Sequence, residues 1–309
     1  MGQIRRILIT SVGTATAIGL IKAIKRFDGY YIVGTDINDY GFTAGSLLVD
    51  QFYKVPYATD NSFVSAIDSI VKHNEIDLVI PINDVEIFEL SKYANEEKYM
   101  IPSKDVIEKI QNKFICSQSV KNFGVSVPRL IDNSFAGKKI VRDFYGVGSK
   151  GIRIVEPEDK LIVGDEQFAQ EFITGDEYTV DVLCDREGNP SYIIPRRRVE
   201  VKSGVATKVF IEKNDELIDA VKRVLKVFLL PGFSNIQFIH SKTDDRYYFI
   251  EINFRFSGCG AASLLAAPNM MTKFLDIAFN KVKSDVVNCN VAWNSMVTRY
   301  YEELIYSCN

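Results

Sequence analysis

The sequence predicts two architectures in one chain: a parallel-sheet α/β region first, then an α+β region built on antiparallel strands. Three observations predict this fold class. In the first hundred residues, short apolar runs alternate with segments of helical periodicity. From about residue 138 the pattern changes to paired strands separated by turn-rich segments. The 309-residue chain is also long enough for more than one core.

The N-terminal elements follow from this alternation. A buried strand is predicted at residues 6–10, a helix at 17–27, a strand at 30–35, a helix at 61–73 and a strand at 78–81. Strands that alternate with helices indicate a parallel sheet covered on both faces. Ser103 is the expected N-cap of one long helix that ends near Phe123, before Gly124. We place the first domain boundary near residue 105.

The later elements are mostly strands. Two strands are expected within residues 138–155 and two within 168–200, with a helix at 215–229, a hairpin at 233–255 that turns near Asp244, a helix at 268–281 and a last strand at 296–304.

Composition and charge exclude several classes of protein. The net charge is −3 and the chain has no basic arm, so we expect no nucleic-acid partner. Five cysteines without metal-ligand spacing indicate reduced thiols. No apolar stretch has the length of a membrane span and none resembles a signal peptide. We expect a soluble, cytoplasmic protein that does not contact membranes.

The predicted hairpin carries the strongest chemical signal. With its turn near Asp244, Gln237 lies opposite Glu251, and strand alternation adds Asn253 and Arg255 to the same face. Carboxylate and amide oxygens are the ligands that Mg²⁺ prefers, and a guanidinium suits a transferring phosphoryl group. The alternative is an ordinary solvated face of an antiparallel sheet.

Two further segments have weaker signals. Residues 142–151 contain a glycine-rich turn with Ser149 and Lys150, which suits contact with phosphate oxygens but lacks the spacing of a Walker A loop. Residues 170–177 form an apolar strand that ends in acidic residues, suited to the edge of an adenine ring and to ribose hydroxyls. Either segment is also compatible with a plain hairpin tip or strand.

Together the three segments resemble the ATP-grasp superfamily, with the carbamoyl-phosphate-synthetase-like and amino-acid-ligase branch the closest. The resemblance implies a pre-ATP-grasp α/β domain at 1–105. It further implies a small ATP-grasp subdomain with a glycine-rich lid at 106–170 and a C-terminal subdomain with the metal site at 171–309. Two departures stand out: Arg142-Asp143 replaces the usual lysine and proline, and Ser257-Gly258-Cys259 follows Arg255 where Ser-Gly-Gly is common.

Carried over position by position, the resemblance implies a site for Mg²⁺ (or Mn²⁺) and ATP. Arg255 contacts the γ-phosphate and acyl phosphate, and the metal ligands are Gln237, Glu251 and Asn253. The residues implied in ATP binding are Lys113, Arg142, Gly146, Gly148, Ser149, Glu171, Phe172, Ile173 and Glu177.

The function implied is ligation of a small carboxylate to a nucleophile, expected to be an amine, through an acyl phosphate. Candidate substrate ligands are Arg196, Arg198, Lys208, Asp84 and Glu86. Each has a structural alternative: a charged sheet edge for the basic residues and a helix N-terminal charge for the acidic ones. A homodimer is expected because dimers are common in this superfamily.

Two other functions stay open at this level. A nicotinamide-dependent oxidoreductase is suggested by the first strand, which leads to Gly13, and by Asp36 at the end of the second. Gly13 is not followed by the other glycines of a G-x-G-x-x-G motif. The second alternative is a non-catalytic nucleotide-binding protein that has retained the ATP clasp.

Overall fold

The computed structural model describes residues 4–146, 151–202, 204–284 and 288–307. Its strands form three sheets, of four, three and six strands. The first sheet is entirely parallel, whereas the other two are entirely antiparallel. The predicted change from parallel α/β to antiparallel α+β architecture is therefore confirmed.

The parallel sheet is N-terminal and has the strand order β3-β2-β1-β4. Its strands are β1 (Arg5–Ile9), β2 (Tyr30–Asp36), β3 (Gln51–Lys54) and β4 (Leu78–Ile80). The connecting helices are α1 (Ala15–Ile24), α2 (Ala44–Leu48), α3 (Phe63–His73) and α4 (Asp84–Leu90), followed by a 3₁₀ turn at Ser91–Tyr93. β1, β4 and the centre of β2 are short, apolar and buried because both faces of the sheet are covered there, whereas the edge strand β3 is only partly buried.

Two helices connect this sheet to the rest of the chain, where the sequence predicts one. They are α5 (Lys104–Gln111) and α6 (Lys113–Lys121), and the single-helix prediction is wrong. Asn112 ends the first helix in an extended conformation, and its side chain accepts a bond from Ile115 N at 3.0 Å. Asparagine is a favoured N-cap, so it starts a new helix here.

The three-stranded sheet has the order β6-β5-β7. Its strands are β5 (Lys139–Asp143), β6 (Ile152–Val155) and β7 (Gln167–Glu171). Phe114 of α6 packs against Phe144 and Phe168, with ring centroids 5.8 and 5.7 Å apart. This aromatic contact fixes the start of α6 against the sheet.

The six-stranded sheet has the order β12-β11-β8-β9-β10-β13. Its strands are β8 (Gly175–Cys184), β9 (Pro190–Lys202), β10 (Val205–Ile211), β11 (Gly232–Ser241), β12 (Tyr247–Asn253) and β13 (Ser295–Thr298). The accompanying helices are α7 (Asp215–Leu225), α8 (Gly260–Ala266) and α9 (Asn269–Asn280). The predicted last strand is too long, because residues 299–307 have no regular structure.

Two hydrophobic cores each contain residues of both the parallel and the six-stranded sheet. In one core Leu8 and Val79 belong to the same cluster as Val180 and Ile236. The second core combines strand residues of β1 with α8 and α9. Shared cores hold the two sheets in a fixed relation, so residues from both contribute to the clefts between them.

No helix within the described ranges is long and apolar enough to cross a membrane.

Candidate functional site

One row of paired residues runs across four strands of the large sheet. Glu251 on β12 pairs with Gln237 on β11, Gln237 with Thr179 on β8, and Thr179 with Arg196 on β9. Directly paired residues of an antiparallel sheet share a face. The predicted pairing of Gln237 with Glu251 is confirmed, and the row extends the polar face well beyond the hairpin.

Two basic side chains converge on Glu251. Lys113 Nζ lies 2.9 Å from Glu251 Oε2, and Arg142 Nη2 lies 3.8 Å from the same oxygen. Burial opposes ionisation of Glu251, but the two cations outweigh it and hold the pKa of the carboxyl below its usual value. Glu251 is therefore a carboxylate at neutral pH, as an oxygen ligand of a metal has to be.

The convergence depends on elements that are distant in sequence. Lys113 is the first residue of α6, and its backbone N–H donates to Phe144 O at 2.8 Å, which joins the helix to the small sheet. Arg142 is buried on β5, and burial lowers the pKa of its guanidinium. Its Nε has no hydrogen-bond partner in the described part of the chain. Arg142 lines neither of the two cavities described below, but its guanidinium approaches Glu251, which lines the smaller one.

Arg255 is held by a residue of the N-terminal sheet region. Its Nε donates to Asp84 Oδ2 at 2.8 Å, and Asp84 is the first residue of α4. The other carboxylate oxygen, Oδ1, is buried and unpaired among the described residues. Asp84 thus spans the two halves of the molecule and orients Arg255.

Two cavities meet at these residues. The smaller, about 240 Å³, is lined by Lys113, Gly146 and Glu251. The larger, about 500 Å³, is lined by Gln237, Arg255 and residues of β9 and β10. Both are lined by Asp84 and Asn253. Of the three predicted metal ligands, Asn253 lines both cavities, Glu251 lines the smaller one and Gln237 lines the larger one.

These three ligands fit a magnesium ion chemically. Glu251 supplies an ionised carboxylate, and Gln237 and Asn253 each have an amide oxygen. Within the described ranges no group of three or more His, Cys, Asp or Glu residues is positioned to hold a metal. One carboxylate with neutral oxygens matches an ion that retains water and phosphate oxygens in its shell.

Arg196 and Arg198 both line the larger cavity. The alternative of a solvated basic edge is wrong, because β9 is an inner strand and the Arg196 side chain is only 1% exposed. Arg196 Nε and Nη2 lie 2.7 and 3.0 Å from the two oxygens of Asp181, and Nη2 also donates to Ser257 Oγ at 3.0 Å. Arg198 pairs with Glu177 at 2.7 Å.

The buried network around Asp181 is a feature that sequence reasoning missed. Asp181 also accepts a bond from Ser263 Oγ on α8. Through Asp181 and Arg196 the network therefore connects β8, β9, α8 and the loop at Ser257. No motif spacing points to it, because its members are up to 82 residues apart. Their common face becomes visible only through the strand register.

Two candidate substrate residues lie outside both cavities. Lys208 on β10 pairs with Glu200 at 2.8 Å. Glu86 is buried, and its carboxylate accepts bonds from Thr10 Oγ1 and Ser11 Oγ. It also accepts a bond from the backbone N–H of Asn83 in the capping box that starts α4. The prediction that these two residues bind the substrate is therefore corrected. Lys208 forms an ion pair at the sheet surface, and Glu86 caps the N-terminus of α4.

The residues implied in adenine and ribose binding lie at and after the end of β7. The N–H groups of Glu171 and Phe172 donate to Arg129 O and Lys138 O, both at 3.0 Å, so these two donors are already used. Ile173 follows them without regular structure. The Glu177 side chain is about half exposed and forms the ion pair with Arg198 described above.

The predicted glycine-rich lid lies mostly beyond the described residues. Gly146 is described and lines the smaller cavity. Gly148 and Ser149 lie outside the described residues.

The features that suggested nicotinamide binding have a structural role instead. Asp36 is buried and accepts bonds from Gly13 N at 2.8 Å and from the backbone and side chain of Asn38 at 3.0 and 2.8 Å. A Cβ atom at Gly13 would lie 2.8 Å from Thr43 Cγ2. Asp36 therefore organises the turn after β1, and its bonds leave little capacity for a ribose.

Two family models match the chain in ranges that do not overlap. Residues 7–101 match the model described as "PylC-like, N-terminal domain". Residues 165–298 match the model described as "ATP-grasp in the biosynthetic pathway with Ter operon". The second range contains the large sheet with Gln237, Glu251 and Asn253.

One curated relative is biotin carboxylase 1 of Bacillus subtilis (strain 168), which is 24% identical over 295 residues. The match covers 82% of this chain but 65% of the relative, so the chain spans under two thirds of the relative's length.

Solved structures share the fold at low sequence identity. The biotin carboxylase domain of Hydrogenobacter thermophilus 2-oxoglutarate carboxylase, determined with MgADP, ADP and bicarbonate, has a TM-score of 0.73 at 14% identity and covers 96% of this chain and 74% of its own. N5-carboxyaminoimidazole synthetase from Staphylococcus aureus has a TM-score of 0.72 at 14% identity, covering 93% and 80%. An L-amino acid ligase from Bacillus licheniformis has a TM-score of 0.66 at 13% identity, covering 90% and 75%.

Proposed function

The chain is a member of the ATP-grasp superfamily, and on that premise we propose that it is an ATP-dependent carboxylate–amine ligase. The neighbours include a biotin carboxylase domain determined with MgADP and bicarbonate and an L-amino acid ligase, and both support a nucleotide-dependent reaction of a carboxylate or related anion. The observation that carries the proposal is the position of Glu251. It lies beside Lys113 and Arg142 and lines the smaller cavity, two residues before Asn253, which lines both cavities.

Each cavity has a separate role in this proposal. The smaller cavity takes the phosphates of ATP, with Lys113 and Arg142 as counter-charges. Glu251, Gln237 and Asn253 hold Mg²⁺, which, when bound, neutralises charge on the phosphates. Arg142 Nε, buried and unpaired among the described residues, gains an acceptor when phosphate binds. The larger cavity takes the carboxylate substrate.

The residues of this chain mainly orient the substrates and neutralise charge. A carboxylate oxygen attacks the γ-phosphorus, the bond to the β,γ-bridging oxygen breaks, and ADP leaves with the electron pair. Arg255, oriented by Asp84, faces the charge of the acyl phosphate. The amine then forms a C–N bond to the acyl carbon, phosphate leaves, and the amine loses a proton. Positioning of this kind accounts for most catalysis of phosphoryl transfer.

Release of phosphate from ATP tests the proposal. The purified chain is screened with pools of carboxylates and amines, with Mg²⁺ and then with EDTA. We expect release that requires both pools and Mg²⁺, and that Mn²⁺ also supports. Consumption of ATP with no dependence on any carboxylate would contradict a ligase, and binding without turnover would indicate a nucleotide-binding protein.

A matched pair of variants assigns the activity to this site. Glu251→Gln keeps the size of the side chain but removes the charge that holds the metal, so Mg²⁺-dependent turnover should be abolished while the circular dichroism spectrum is unchanged. Glu216→Gln makes the same change on the exposed side of α7 and should retain full activity. Wild-type turnover in Glu251→Gln would remove Glu251 from the metal site.

Homodimerisation stays a prediction for this chain. Sedimentation velocity on the full-length chain tests it directly, and a single monomeric species at micromolar concentration would contradict it.

A further inference from the structure

The charges around the larger cavity are unevenly compensated. Among the described residues, four charged ones line it: Asp84, Arg196, Arg198 and Arg255. Arg255 is paired with Asp84, and Arg196 is paired with the buried Asp181. The acidic partner of Arg198, Glu177, is 54% exposed, whereas the Arg198 side chain is only 13% exposed. An ion pair with so exposed a partner is screened by water and contributes little.

Arg198 also retains hydrogen-bonding capacity. Its Nη1 contacts Glu177, and its Nη2 donates to Gly204 O at 2.8 Å. A guanidinium has five N–H donors, so two contacts leave three for a ligand. Thr16, in the first turn of α1, lines the same cavity and adds a hydroxyl group. The cavity therefore offers an anion both charge and donors at the end formed by β9.

This end is far from the place where the carboxylate is activated. Glu251 on β12 and Arg196 on β9 are separated by three strand spacings in the paired row. Adjacent strands lie about 4.8 Å apart, so the two backbones are separated by roughly 14 Å. Side chains stand nearly perpendicular to a sheet, so most of this lateral distance persists above it. Arg198 follows Arg196 on the same face of β9.

From these contacts we infer that the carboxylate substrate has a second anionic group, bound by Arg198 at the β9 end of the cavity. A single carboxylate group is too small to contact both Arg198 and the phosphates next to Glu251. A compact molecule with two anionic groups can place one group at each end. A cavity of about 500 Å³ has room for such a molecule. None of the described residues that line it is aromatic, which favours a polar aliphatic substrate. The inference rests on the proposed function, because it takes the other cavity as the ATP site.

The test uses matched pairs of linear carboxylates as probes. Succinate, glutarate and adipate are compared with butanoate, pentanoate and hexanoate by calorimetric titration of the full chain in the presence of Mg²⁺ and a non-hydrolysable ATP analogue. A charge-assisted contact contributes about 1.5–3 kcal/mol, so at least one dicarboxylate should bind about tenfold or more tightly than its partner. No preference for any dicarboxylate in the wild type would overturn the proposal.

Two variants assign the preference to one side chain. In Arg198→Met the advantage of the dicarboxylate should fall below about twofold, because the contact that discriminates the pair is lost. Lys208→Met removes a positive charge from the neighbouring strand outside the cavity and should retain the advantage. Retention in Arg198→Met, or equal loss in both variants, would refute a specific role for Arg198. Arg198→Lys keeps the positive charge but loses the planar guanidinium, so it should give an intermediate preference for the dicarboxylate. This variant tests the same contact if Arg198→Met is unstable.

Affinity for Mg·ATP is measured separately on each variant. Arg198 also contacts Glu177, a residue implied in ATP binding, so the two affinities are compared in each variant. A loss of the dicarboxylate preference in Arg198→Met that exceeds any change in ATP affinity locates the effect in the larger cavity. Failure of the wild type to bind Mg·ATP would overturn the proposed function, whereas a dicarboxylate preference measured without nucleotide would still support the anion site.

Discussion

The buried pair of Asp181 and Arg196 allows a quantitative prediction. Asp181 accepts two bonds from Arg196, at 2.7 and 3.0 Å, and a third from Ser263 Oγ. Both charged side chains are almost inaccessible, at 6% and 1% exposure, so water does not compensate a lost partner. Removal of one member of a buried pair typically costs about 3–5 kcal/mol. Asp181→Ala should lower the free energy of unfolding by that amount.

Urea denaturation followed by circular dichroism measures this loss. Asp219→Ala, which breaks the solvent-exposed pair with Lys222, serves as the control and should leave the midpoint nearly unchanged. The double variant Asp181→Leu with Arg196→Met replaces both charges by apolar groups and should recover most of the lost stability. A loss below about 1 kcal/mol in Asp181→Ala would refute the view that this carboxylate compensates a buried guanidinium.

Three further predictions concern other parts of the chain. Burial raises the pKa of Glu86 above its ordinary 4.5, so the folded state binds the proton more tightly than the unfolded state. Stability should therefore fall as pH rises from 4.5 through the raised pKa. Glu86→Gln should remove that part of the fall in the urea midpoint, and an unchanged pH profile of the midpoint would contradict this. A Cβ at Gly45 would lie 1.7 Å from Val12 O, so Gly45→Ala should destabilise the protein by about 1–3 kcal/mol or more, and a wild-type melting curve would contradict that contact. Among the described cysteines Cys289 is exposed, whereas burial raises the pKa of Cys116 to about 12. A thiol reagent should therefore modify Cys289 before Cys116, and mass spectrometry that finds Cys116 labelled first in the folded protein would contradict this.

Local patterns in the sequence identified most of the helices and strands, and they identified the part of the candidate site that lies on the hairpin. The hairpin of β11 and β12 was predictable because alternation has a period of two and the turn residues are recognisable. The pairing of Gln237 with Glu251 also depends on a register shift between Gln237 and Phe238, since the register next to the turn would place Gln237 opposite Ile250. The break between α5 and α6 was not predicted, because the helical periodicity continues across Asn112 while its side chain caps the second helix. The last strand was overestimated because its β-rich composition continues beyond the last residue that pairs with β10.

The sequence by itself determined the parallel-then-antiparallel order of sheets and the oxygen-rich face of one hairpin, because both follow from short-range periodicity. Only the tertiary structure decided which charges meet. Lys113 reaches Glu251 across 138 residues, and Asp84 reaches Arg255 across 171. Likewise, Arg196 and Lys208 are both basic residues on strands of one sheet. Arg196 is buried against Asp181 and Lys208 is paired at the surface, because burial depends on neighbouring elements that a single strand does not encode.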